Sequence, residues 1–102
     1  MAQATEAETH ALTSLRTLEL MVADLLAVAA EWPSLSVGER ESWSLDWGNE
    51  IAGLERLAAW AAEDALDAAA RARYQQVRYR LRDLLPQIDA LELRRPPVAL
   101  DS

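Results

Sequence analysis

Cysteine, lysine and phenylalanine are absent from this sequence, and glycine and proline are scarce, at three and four residues. Without cysteine there can be no disulfide, no thiol nucleophile and no cysteine-ligated metal site. A small domain without such staples must stand on its core, on oligomerisation, or on both. The shortage of glycine and proline removes the usual punctuation of turn-rich β folds and points to helix. The missing lysine leaves arginine as the sole cation, and no chemistry follows from that. Long uncharged apolar runs are missing too. The most apolar stretch, Leu18 to Trp32, carries Glu19, Asp24 and Glu31, so it is too short and too charged to span a bilayer. Met1 to Thr9 contains acids and no basic n-region, which reads as no secretory leader. The expected location is the cytoplasm.

What is present is a chain of 102 residues, 51% of them hydrophobic, dominated by the strong helix formers Ala and Leu. That length is one domain's worth, 1–102. Formal net charge is −7. Nucleic acid and anionic membrane both want cationic surface, so the balance disfavours both as partners.

Three apolar stripes carry the architecture. In the first, Leu15, Leu18, Val22, Leu25, Ala29 and Trp32 recur at 3-4-3-4-3 spacing, the seam of helices packed at shallow angles. Leu12, Met21, Leu26 and Val28 widen it. This predicts a helix over about 5–32, stopped by Pro33. Ser36-Val37-Gly38-Glu39 reads as a capping box, opening a second helix over about 37–63. Its stripe is Trp47, Ile51, Leu54, Ala58 and Ala61. Gly48-Asn49 is its expected weak point, where a bend or break can fall. Asp67 is the expected N-cap of a third helix over about 68–93, with Tyr74, Val77, Leu81, Leu84, Ile88 and Leu91 as its stripe. Pro86 lies inside that pattern, and the stripe continues in phase past it, so the expectation is a kink at Pro86. Residues 94–102 read as an extended tail, either a ligand for another protein, a loose end, or a strap on its own bundle.

Three amphipathic helices with short connections predict an all-α, up-down-up antiparallel three-helix bundle. A turn centred near Leu66 sets Glu55 beside Arg78, Glu50 near Arg80 or Arg82, and Asp64 near Arg71 or Arg73. The stripes alone leave open whether the bundle closes within one chain or exchanges helices with a second.

Catalytic chemistry is not visible. His10 is the single histidine and stands near a terminus without a companion. There is no paired-histidine metal motif and no glycine-rich phosphate loop. Ser42 and Ser44 lack a neighbouring base. The expectation is no enzyme, no catalytic residue, no cofactor and no metal.

Three surfaces remain as candidates for binding. Trp60 lies off the second stripe, near Gly53, with Leu45, Ala52 and Ala59 along the same side. A second apolar strip on that helix predicts a homodimer contact, or contact with a protein partner not identified by sequence. The bland alternative is that the bundle covers it internally. Trp32, Trp43 and Trp47 should cluster at one end, as an aromatic pocket or as a core plug. Arg71, Arg73, Arg78, Arg80 and Arg82 lie within twelve residues with Tyr74 and Tyr79 interleaved. That is either a nucleic-acid face or a seam flank neutralised by the acids of the second helix.

Overall fold

All regular elements in the computed structural model, which describes residues 6–100, are helical. Helix α1 spans Glu6–Glu31, a 3₁₀ turn spans Trp32–Ser34, α2 spans Val37–Ala52, α3 spans Leu54–Ala62, and α4 spans Ala68–Ala90. The expected helix start at Thr5, the first five residues of the acidic segment 1–9 and the last two tail residues lie outside the described residues. Among the described residues, no helix is long and apolar enough to cross a membrane.

The helix boundaries follow local chemistry. Pro33 sits in the 3₁₀ turn, and Arg40 closes the end of α1. Its Nε donates to the Trp32 carbonyl at 2.9 Å and its guanidinium to the Pro33 carbonyl at 3.2 Å. A cation there opposes the negative end of the helix dipole. Ser36 and Glu39 form the reciprocal capping box, each bond 3.1 Å. The Ser36 amide, which donates to the Glu39 carboxylate, and next the Ser36 side chain hold that carboxyl below its ordinary range. Asp67 accepts from the Ala70 amide at 2.8 Å and starts α4.

The second arm breaks at Gly53, not at Gly48-Asn49. Gly53 keeps an ordinary helical φ of −64°, so its value lies in space and not in handedness. A Cβ there would sit 3.2 Å from the Glu50 carbonyl oxygen, which has moved in to accept the Gly53 N–H at 3.1 Å. Around Gly48 a Cβ would meet nothing within 4 Å, and α2 continues through it between the buried Trp47 and Ile51. Gly48→Ala should therefore raise stability by about 0.5–1 kcal/mol through helix propensity. Gly53→Ala should lower it, and urea midpoints at constant m-value read both signs.

Helices α3 and α4 both end on residues other than glycine in the left-handed region, Asp64 at φ 58° and Glu92 at φ 56°. In each, the next amide reaches back five residues, Ala65 to the Trp60 carbonyl at 2.8 Å and Leu93 to the Ile88 carbonyl at 2.9 Å. These are Schellman closures. The second ends the helix at Ala90, three residues before the predicted 93, and turns the chain around.

The core follows the stripes. Ala11, Leu15, Leu18, Leu25, Trp47, Ile51, Leu54, Leu57, Leu81 and Ile88 are fully buried, with Val22, Tyr74, Val77 and Leu84 nearly so. Along α1, Trp32 meets Trp43 and His10 meets Trp60, so partner numbers fall as α1 numbers rise. Against α4 they rise together: Glu19 binds Arg73, and Val22 and Ala23 share a groove with Val77 and Arg80. Helix α4 makes its most extensive contact with α1.

Beyond Glu92 the chain runs back over the bundle. The Trp47 indole donates to the Arg94 carbonyl at 2.9 Å, and Arg78 donates to the Ala99 carbonyl at 2.7 Å. Leu93 and Leu100 are buried, and Val98 packs against the core. The tail is thus a strap on its own bundle.

Candidate interaction surfaces

The strip predicted along the second helix divides in two. Leu45 is 65% exposed, and Ala59 is exposed as well. Ala52 and Gly53 are half-buried and line a shallow depression with Ser14 of α1. Trp60 also turns toward α1, where its ring meets His10 edge-on at 6.5 Å, and Arg56 lies 5.9 Å over it. The indole is half-buried against the core. Helical phase explains the division: Leu45 lies directly opposite Trp47, while Trp60 is rotated toward the α1 side.

Helix α1 adds apolar surface that the strip did not include. Leu20 is 62% exposed and Leu26 57%, with Leu12 at 43%. Leu12 and Leu26 were expected to widen the buried seam. They are exposed instead, and the α1/α4 groove is lined by Glu19, Val22 and Ala23 with Gln76, Val77 and Arg80. Leu20 rims the groove between α1 and α2, beside Asp24, Asp46 and Asn49.

The three tryptophans do gather at one end. Trp32 and Trp43 meet edge-to-face at 6.4 Å, and Trp43 stacks on Trp47 at 5.5 Å. Trp47 is fully buried, whereas Trp32 and Trp43 are half-buried. An open depression of about 400 Å³ lies beside Trp32, lined by Val37, Arg40, Glu41, Ser44, Leu91 and Glu92. Only Trp32 of the three indoles borders it.

The arginines of α4 are largely engaged. Arg71 pairs with Asp64 across the turn, one of the predicted contacts. Arg73 binds Glu19 of α1 through two bonds, 3.0 and 2.6 Å. Arg78 donates to Gln75 and to the Ala99 carbonyl and lies 5.7 Å over the Tyr74 ring. Arg82 lies 5.4 Å over Tyr79. Arg80 is exposed at the rim of the α1/α4 groove. The partners expected from Glu50 and Glu55 are replaced by α1 and by the tail. The physical reason is that α4 packs chiefly on α1, and the strap takes the flank on which Arg78 stands.

Ion pairing sets the direction of each resolved carboxylate shift on these surfaces. The hydrogen bond from Arg73 holds the Glu19 carboxyl below its ordinary range, and Arg95 does the same for Asp89. A carboxyl lowered in the folded state adds stability above its unfolded pKa. That contribution is lost as pH falls through the folded value, so it vanishes on acidification. Both partners at Glu19 are more than one-third exposed, so screening keeps the effect small. Burial pushes the Tyr74 hydroxyl up, with Arg78 opposing.

Among the described residues, no group of three or more His, Asp or Glu side chains is placed to hold a metal ion. No protein-family model, curated protein or solved structure matches the chain.

Several contributors escaped the sequence reading. Arg40 bridges the end of α1 and the start of α2, and a cation just past a helix terminus was the available signal. The carbonyls of Arg94 and Ala99 serve as tail anchors, and main-chain acceptors carry no sequence signal.

Proposed function

We propose that this chain is a non-enzymatic, cytoplasmic interaction module that self-associates as a homodimer and in that form holds or regulates a protein partner. Its architecture in this reading is an up-down-up three-helix bundle with a bend at Pro86. The falling and rising contact registers along α1 support the arrangement. The observation that carries the functional reading is the set of exposed leucines, Leu12, Leu20, Leu26 and Leu45, on a chain whose core is already filled by other residues. Large apolar side chains left in water on α1 and α2 favour a protein partner.

The reading as a nucleic-acid face on α4 has less support. Four of its five arginines have protein partners, and the net charge is −7. The test of the main reading is a Leu20→Glu/Leu45→Glu double variant. It should lower the self-association constant at least tenfold in sedimentation equilibrium, with far-UV circular dichroism unchanged, since both side chains face water. A wild-type chain that stays monomeric at millimolar concentration would overturn the homodimer.

A further inference from the structure

The two seams of α1 carry charge in different ways. The seam with α4 holds an ion pair, Arg73 with Glu19. The groove with α2 is an open depression of about 350 Å³. Its apolar part is the exposed Leu20 beside the half-buried Met21. Its charges are all carboxylates, Asp24 on the α1 bank and Asp46 and Glu50 on the α2 bank. Among the described residues, none of the three joins an ion pair, and no arginine lines the groove. The two arginines of the second arm are turned elsewhere. Arg40 donates to the Trp32 and Pro33 carbonyls, and Arg56 lies over Trp60.

This pattern does not serve packing. Opposite charges flanking a seam select neighbouring helices, and like charges on both banks oppose them. Carboxylates on two sides of an apolar seat instead match a partner that brings cations on two sides of an apolar ridge. A single ion does not fit, because among the described residues no group of three acids is placed to hold a metal. Asp46 and Glu50 stand one turn apart, about 6 Å along the helix, with Asp24 on the opposite bank.

We infer that the α1/α2 groove is a docking site for a cationic amphipathic helix of another protein. An apolar residue of that helix seats on Leu20 and Met21, and Lys or Arg on its flanks meet Asp24, Asp46 and Glu50. This rests on the partner half of the reading above and names that partner's chemistry.

Both banks are helix flanks, which offer side chains and no free main-chain groups. An extended segment would leave its own amides unmatched there, whereas a helix satisfies them internally. Thr17 to Asp24 gives the groove two turns of length, about 10 Å. One turn further, Ser14, Ala52 and Gly53 line a second shallow depression, where small side chains allow close helix approach. Met21 is unbranched and adapts to the residue seated on it. A second copy is the poorer occupant of this groove. It brings the same acids and a net charge of −7, and like charges across an interface are unfavourable.

The experiment is fluorescence anisotropy at micromolar protein with a labelled peptide of about 18 residues, five helical turns. The peptide carries leucines at 3-4 spacing with lysines on both sides of them. One control scrambles its order so that the leucines scatter around the helix, and another has glutamate for every lysine. At about 0.05 M salt, where charge is weakly screened, wild type should bind the peptide at least tenfold tighter than either control. Affinity should fall as salt rises to about 0.15 M. Asp24→Asn/Asp46→Asn/Glu50→Gln should lose at least tenfold and most of the salt dependence. Glu41→Gln/Glu63→Gln/Asp83→Asn removes three charges elsewhere and should bind within about twofold of wild type. Asn49→Arg, which puts a cation inside the groove, should also lose at least tenfold. Circular dichroism accompanies each protein, and if the groove triple variant melts, Asn49→Arg carries the test. Equal affinity for peptide and scrambled order, equal loss in both triple variants, or unchanged affinity in the groove variants overturns the docking site. Sedimentation equilibrium on the same proteins reads the homodimer separately. A monomeric wild type that binds the peptide as expected removes the homodimer and keeps the groove, and a dimer indifferent to the peptide's pattern does the reverse.

Discussion

Trp47→Ala is expected to lower the stability of this protein by about 3–5 kcal/mol, the range for deleting a fully buried large aromatic side chain. The indole is 0% exposed. It stacks on Trp43 at 5.5 Å and donates its N–H to the tail at Arg94. Truncation removes the transfer energy of the ring, opens a cavity and frees the strap at its first anchor. Domains of this size have about 5–15 kcal/mol in total, so the loss takes a large fraction of it. At about 4–8 °C per kcal/mol, Tm should drop by at least about 12 °C. Trp47→Phe separates packing from tethering. It keeps most of the ring volume and deletes the donor, for a smaller loss of about 1–2 kcal/mol. A Trp47→Ala loss under about 1 kcal/mol would mean that the indole does not plug the core.

Pro86→Ala is expected to stabilise, by about 2 kcal/mol. Helix α4 runs on through Pro86 to Ala90, so the ring stands inside a helix and the Arg82 carbonyl lacks its usual amide partner. An interior proline costs about 3 kcal/mol relative to alanine. Replacing it loosens the unfolded chain, which returns about 0.4–1 kcal/mol. The side chain is exposed, so little packing is lost. A rise in urea midpoint at unchanged m-value would agree. A fall would show that a bend at Pro86 seats Ile88, which is fully buried two residues from the end of the helix.

The stripes were legible because burial follows helical phase. Leu15, Leu18, Val22 and Leu25 on α1, and Tyr74, Val77, Leu81, Leu84 and Ile88 on α4, are read from spacing alone and are the buried residues. The caps at Ser36 and Asp67 were legible because their hydrogen bonds join residues three apart. The break in the second arm was not. Gly48 and Gly53 look alike in sequence, and what separates them is the Glu50 carbonyl beside one and empty space beside the other. The left-handed residue at Glu92 was hidden too, because glycine is the usual sign of such a turn.

The candidate surfaces divide along the same line. That Trp32, Trp43 and Trp47 share one end follows from the Pro33 stop and the i, i+4 spacing. That Trp47 alone is sealed, and by a carbonyl from Arg94, follows from the path of the tail. The arginine cluster was plain in sequence, but its partners were assigned to the second helix.

By itself, the order of residues determined three helical arms, their caps and their buried faces, because each depends on contacts within a few residues of chain. The tertiary structure decided which flank met which neighbour: Arg73 with Glu19, Arg78 with Ala99, Trp60 with His10. Those choices depend on how far one helix is rotated against another and where the returning tail lies. Both are set by the summed packing of the whole core, which no local window of sequence contains.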